Sequence, residues 1–433
     1  MSILNTKLLE RKIETLRETK TKTLVGKPIG FNWDDMPAKV HTDGQGKFDC
    51  TWSAKLEHEG PNVFYVDINN GNDSNDGLTL QTAFRTLNKI RSINADIVYV
   101  EDGVYPRNDG GLNGGQFDGS ISIKALPGTN PIITTHDELA WSLESGNVYK
   151  STRSSVQNVV DVAEDGQGEK QFLKMEKVGN VEECQNLSGS YYTDGSEVWV
   201  HTFDSRPADN NVWALLSPTN LKFEQQGGSK LYLEGLTFLG GSNVAEIKTT
   251  NTAPVYFNAK DCRFLFSGTG NVLSVRGGNC VFESCEASYG FADGFNYHDE
   301  GSVPCTSVEC KCWGHSNGLL DNASNSHNGS SMHGGGKILR VDCIYNNNKG
   351  PNVVDVDESV LSWNLGVVAF ESAADEHSNT NFRCREGKMW LDHCVSYGSV
   401  NAFSVTQQGT LYKRRLEIEG EEIEQDGGVI QRY

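Results

Sequence analysis

Short apolar stretches of strand length, each closed by a polar turn and a glycine, recur from Leu231 to Thr406. The phrase is legible in LYLEGLTFLGG, FNAKDCRFLFSGTG, VFESCEASYG, TSVECKCWGHSNG, ILRVDCIYNNNKG and MWLDHCVSYGS. With Cys262, Cys285, Cys310, Cys343 and Cys394 as markers the steps are 23, 25, 33 and 51 residues, the last holding two turns with Ser362 of VLSWNLG between them. A period of roughly 20–30 residues built from strand-length pieces predicts an all-β solenoid, a single-stranded parallel β-helix. Matching positions of successive coils then lie about 4.8 Å apart.

The flanks follow other patterns. Residues 1–60 read as an N-terminal helical stalk and linker. Leu9, Ile13 and Leu16 form a heptad-long apolar seam suited to a coiled coil, and GKPIGFNWDDMPAKV reads as a linker with anchoring aromatics. Residues 61–410 read as the β-helix. Near its start a helix over Thr82–Ile90, with Phe84, Leu87 and Ile90 inward, is suited to cover the open end of the stack. From about 136 to 214 the period breaks into WSLESGNVYK, QFLKMEKV, GSYYTDGSEVWVHTFD and NVWALL, which predict a small antiparallel β insertion with Asp-Gly and Ser-Gly turns. Residues 411–433 read as one or two polar strands beyond the last coil.

Composition narrows the partners. Forty-six glycines against five methionines fit a chain that turns often. A net charge of −19 argues against nucleic acid or an anionic membrane as partner but leaves a glycan groove open. No apolar window is long enough to span a bilayer, and the start MSILNTKLLERKIETL is too polar for a signal peptide, so synthesis in the cytoplasm without export is expected. The eleven cysteines include no CxxC pair, and those in the repeat are expected to be reduced and to stack as an internal ladder.

YVDINNGNDSNDGLTLQTAFRTLNKI resembles the opening of right-handed parallel β-helix proteins of the pectate-lyase-like superfamily. YYTDGSEVWVHT and the block DGFNYHDEG…DNASNSHNGSSMHGGGKILRVDCIYNNNKGPNVVDV resemble bacteriophage tailspikes and tail-associated depolymerases. The resemblance covers about residues 60–410. It implies a homotrimer located in the virion, contacts to other tail proteins through the N-terminus, and a β-helix that cleaves a host surface polysaccharide. The short stretch after Thr406 departs from the pattern of tailspikes that end in a sizeable trimerising domain.

Polar density peaks between Asp293 and Asp357. Aligning the coils on the glycine after each turn predicts one outward column of Asn296, Asp321, Asp355 and Glu371, with His298 and Asp357 in a second column on the same face. Stacked carboxylates repel, which raises the pKa of one and splits a proton donor from a base or nucleophile. Neighbouring coils suit the separation of a retaining glycosidase, about 5–5.5 Å, whereas Asp321 and Glu371 at about 9.6 Å suit an inverting one. The expected catalytic set is therefore Asp321, Asp355, Asp357, Glu371, His298 and His333. Asp293, Asn296, Tyr297, Asp299, His327, Trp313 and Trp363 are expected to bind substrate. The long coil that carries SNSHNGSSMHGGG is the irregular one, and irregular loops on a rigid stack are where sites are built.

Competing readings use the same residues. Asp and Asn also cap turns and form ladders on β-helices without any catalysis. No cofactor is expected. His298, His327, His333 and Asp321 lack the spacing of a metal site, and calcium held by Asp355 and Asp357 is an alternative. A polysaccharide lyase would draw its base from Arg276, Lys337 or Arg340, and a receptor-binding tail fibre would hold glycan without cutting it.

Overall fold

Alternation within each repeat decides the architecture, because every coil has to bury one side of three short strands. The computed structural model describes residues 22–112, 114, 116–164, 170–319, 326–375 and 378–433. Their strands stack in parallel into three sheets, here numbered 1, 2 and 3, of twelve, ten and nine strands. One coil runs Gly278–Glu283 in sheet 1, Glu286–Ser288 in sheet 2 and Phe295–His298 in sheet 3, and the next repeats this with Thr306–Cys310, Trp313–His315 and Ser330–Met332. The chain is a parallel β-helix. Its interior is one continuous apolar cluster from Val66 to Leu411.

Sheets 1 and 2 meet at a sharp corner. Gly235, Asp261, Ser284, Lys311, Asp342, Gly366 and His393 occupy it one above another, all left-handed with φ between 48° and 69°. The residue after each corner points inward, giving the buried column Leu236, Cys262, Cys285, Cys312, Cys343, Val367 and Cys394. The thiol ladder therefore runs through Cys312 rather than Cys310. Lys311 takes the corner and reverses the alternation, so Cys310 faces out of sheet 1.

The N-terminal region is no simple linker. Thr23–Leu24, Ala38–Thr42 and Phe48–Trp52 form an antiparallel sheet. Phe31, Trp33 and Phe48 pack on the outer face of sheet 1, against Val281, Val308, Leu339, Trp363 and Trp390. The seam Leu9–Ile13–Leu16 lies outside the described residues. The helix expected over Thr82–Ile90 is shorter. A 3-10 turn spans Leu80–Thr82, Phe84 bridges to Val66, and the helix is Leu87–Ile90. Phe84, Leu87 and Ile90 are all buried. The insertion forms a five-stranded and a three-stranded sheet, and its Val160, Val162, Trp213 and Leu215 pack on Leu239 and Leu265 outside sheet 2. The coils also continue past Thr406, through Thr410–Arg414 and Glu421–Glu424 to Val429–Arg432. Among the described residues, no helix is long and apolar enough to cross a membrane.

Candidate functional site

Sheet 3 decides which predicted residues can meet a ligand. In Phe295–His298, Phe295 and Tyr297 point into the core, which sends Asn296 and His298 outward. Register carries that alternation along the stack. One outward column is Ser274, Asn296, Ser331, Val354, Arg383 and Ser404. A second begins with Arg276 and His298, and the backbone N–H groups of His333, Val356 and Arg385 extend it by bonding to Tyr297, Met332 and Asp355.

His298 and His333 stack on adjacent coils, ring centroids 4.0 Å apart and planes 12° from parallel. Burial, then the charge of Arg276, lowers the pKa of His298. Burial, then the neighbouring His298, holds His333 down at about 4. Both imidazoles are therefore neutral near pH 7. Asp357 Oδ2 accepts the Gly334 N–H at 2.7 Å, and a Cβ on Gly334 would stand 2.2 Å from Asp299 Oδ1. Two carboxylates thus close on one glycine beside the imidazole pair. The left-handed φ of +61° at Gly334, with no room for a side chain, is what lets them approach.

Asp293 anchors the edge of this face. Its Oδ2 accepts from Asn296 Nδ2 at 2.8 Å and Ser331 Oγ at 2.7 Å, and its Oδ1 from the Asn328 N–H at 2.7 Å. Burial raises its pKa against those hydrogen bonds, and His327 lies close enough to favour its charged form.

The structure brings together His298, His333, Asp357, Asp299, Asp293, Asn296 and His327. It does not gather the rest. Asp355 follows Val354 and so points inward, fully buried, with its Oδ1 3.1 Å from Arg340 Nη2. Arg340 also reaches Ser330 Oγ at 2.9 Å and Asn364 Oδ1 at 3.3 Å. Glu309 accepts from Tyr297 at 3.1 Å and Ser330 at 2.7 Å, and Tyr345 also bonds to it. Tyr297 and Asp355 are thus interior residues, and Asp355 is engaged by Arg340 while Asp357 is engaged by the Gly334 N–H. Arg340, offered as a lyase base, is interior as well.

Glu371 sits in the left-handed turn after sheet 2 (φ 51°), in line with Tyr289, Ser316 and Asn347, so it does not share a column with Asn296. Trp363 lies under the N-terminal segment, 5.6 Å from Phe31. Trp313 faces out of sheet 2, its ring stacked on His315 at 3.9 Å and its Nε1 on Asn346 Oδ1 at 2.9 Å. Asp321 lies outside the described residues. The expected list omitted Arg383 and Arg385. Their signal is FRCREG, whose two arginines, two residues apart, must share a face of the strand after VVDVD.

Among the described residues, no three His, Cys, Asp or Glu converge as a metal site. Two surface depressions lie away from this face: one of about 430 Å³ beside Asp67, Gln81 and Glu101, and one of about 470 Å³ beside Trp52, Tyr232 and Glu283.

No protein-family model and no curated protein matches the chain. Solved structures do. A structure described as a glycoside hydrolase is 10% identical, with a TM-score of 0.45 over 86% of this chain and 96% of that one. Pectate lyase Pel9A is 14% identical, with a TM-score of 0.33 over 81% and 79%. The Gp54 tailspike of Acinetobacter baumannii bacteriophage AP22, solved with a capsular saccharide, is 14% identical, with a TM-score of 0.27 over 80% and 62%. The likeness is one of fold, and no activity follows from it.

Proposed function

We propose that this chain is a phage-tail depolymerase that binds and cleaves a host surface polysaccharide on the outward face of sheet 3. The observation that carries the reading is the convergence of Asp299 and Asp357 on Gly334 beside two neutral imidazoles. Each oxygen is fixed relative to that glycine, and N and Cβ of one residue are about 2.5 Å apart, so Asp299 Oδ1 and Asp357 Oδ2 are separated by no more than about 7.4 Å. Two carboxyl groups that close can flank a glycosidic bond. One protonates the departing oxygen, and the other acts as nucleophile or as base for water. His298 and His333, neutral and stacked, are suited to accept hydrogen bonds from sugar hydroxyls. The virion location, the homotrimer and the contacts to other tail proteins are supported by the sequence resemblance to tailspikes.

The test is incubation with capsular polysaccharide and with lipopolysaccharide O-chain, followed by size profile, reducing ends and absorbance near 235 nm. Hydrolysis shortens the polymer and raises reducing ends without absorbance, and Asp299→Asn or Asp357→Asn lowers the rate by at least about 100-fold. New absorbance assigns a lyase instead. Binding with no change in chain length leaves a tail fibre and overturns the proposal.

A further inference from the structure

Three arginines flank the imidazole pair, and none has a counter-ion among the described residues. Arg276 lies one coil before His298, and Arg385 two coils beyond His333 in the same outward column, with Arg383 beside it in the neighbouring column. Other cations on this sheet are paired: Lys222 with Glu224 at 3.0 Å, and Lys248 with Glu300 at 3.0 Å. Among the described residues, no carboxylate comes within ion-pair distance of Arg276, Arg383 or Arg385. Arg385 donates to the neutral Gln407. Among the described residues no hydrogen bond reaches the Arg383 guanidinium, and its Nε is buried.

Leaving a half-buried guanidinium unpartnered costs free energy that a chain with this excess of acidic residues could easily have avoided. Burial and the charge of Arg385 both act against the charged form of Arg383, so neighbouring protein groups do not compensate it. A planar guanidinium matches the two oxygens of a carboxylate or sulfate, and two such groups two residues apart on one strand can grip adjacent acidic substituents.

We infer that Arg383 and Arg385, with Arg276 across the imidazole pair, form an anion-recognition subsite, and that the glycan handled on sheet 3 is an acidic polysaccharide. The inference rests on the glycan reading above. Arg383 and Arg385 are substrate-positioning residues, set on one coil that lies one step beyond Asp357 and three beyond Asp299. Neutralising them weakens binding, and the negative potential of the whole chain does not exclude the ligand because the local field is set by these three charges.

The experiment uses the whole chain on polygalacturonate and hyaluronate (carboxylate), heparin (sulfate as well) and dextran (neutral), with binding and polymer size both read. We expect at least one charged polymer to bind and dextran not to bind. The wild-type affinity should fall steeply between 50 mM and 500 mM salt, and Arg383→Gln/Arg385→Gln should bind at least tenfold more weakly with an unchanged melting temperature. Carboxylate is distinguished from sulfate by whether polygalacturonate or heparin is retained. Binding to dextran as tight as to any charged polymer, no binding to any charged polymer, or an unchanged affinity in the double variant overturns the inference. The two readings fail separately: an acidic polymer held but not shortened removes the cleavage, whereas dextran bound and shortened removes the acidic preference alone.

Discussion

Asp355→Ala separates an interior role from a catalytic one. Arg340 is wholly enclosed, and its charge is met inside the coil by Asp355, with hydrogen bonds to Ser330 and Asn364 and with Glu309 next to it in the same interior column. Removing the partner of a buried ion pair costs about 3–5 kcal/mol, because the surviving charge keeps its desolvation penalty. Glu309, whose pKa is raised by burial, can compensate in part by ionising, which places the expected loss near 3 kcal/mol. Asp355→Leu combined with Arg340→Met removes both charges at similar volume and should return to within about 1 kcal/mol of the wild type. The coupling energy of the double-mutant cycle is then about 2 kcal/mol or more. Urea unfolding followed by tryptophan fluorescence reads this as a shifted midpoint at constant slope. The reasoning fails if Asp355→Ala costs less than about 1 kcal/mol, or if it abolishes glycan cleavage with the unfolding midpoint unchanged.

Other outcomes follow from the same geometry. Because His333 titrates at about 4 in the folded chain and 6.5 as a free side chain, the unfolded state binds more protons between those values. Stability from this group is therefore complete above pH 6.5 and is lost as the pH falls towards 4, by up to ~3 kcal/mol; His333→Gln should flatten that part of the stability–pH curve. Trp33→Ala empties the contact between the N-terminal segment and sheet 1 at a cost of about 3–5 kcal/mol, expected as rapid proteolysis within residues 22–60 while the coils stay resistant. Of the eleven cysteines Cys50 alone is not buried, so a thiol reagent should label that residue first and the others only on unfolding.

Much of the fold was legible because a solenoid writes its period directly into the sequence. The corner recurs in coil after coil, most often with a thiol after it, and the three sheets follow from that period. The site was harder for the same reason. A slip of one residue moves a side chain from the outer face to the core, and that slip is what placed Asp355 beside Asn296. A glycine-based alignment also treats turns after sheet 2 and strands of sheet 3 as equivalent, which drew Glu371 into the wrong column. His298, His333 and Asp357 were recoverable because they crowd the irregular coil. Arg383 and Arg385 show in the sequence only as the spacing in FRCREG, since an arginine's lack of a counter-ion is a property of space and leaves no trace in composition. Trp363 shows the complementary limit: only a contact with Phe31, more than three hundred residues earlier, decides that its ring is unavailable to sugar.

That long-range contact imposes an order on synthesis. Phe31 and Trp33 leave the ribosome first, yet the surface they cover includes Trp363 and Trp390, which leave near the end. Until the last coils form, the N-terminal aromatics have only part of their docking surface, the strip that begins at Val281, Val308 and Leu339 on sheet 1. Closing such a loop is slow compared with adding a coil to its neighbour. The segment is therefore expected to settle last, once Trp363 and Trp390 are in place beneath it.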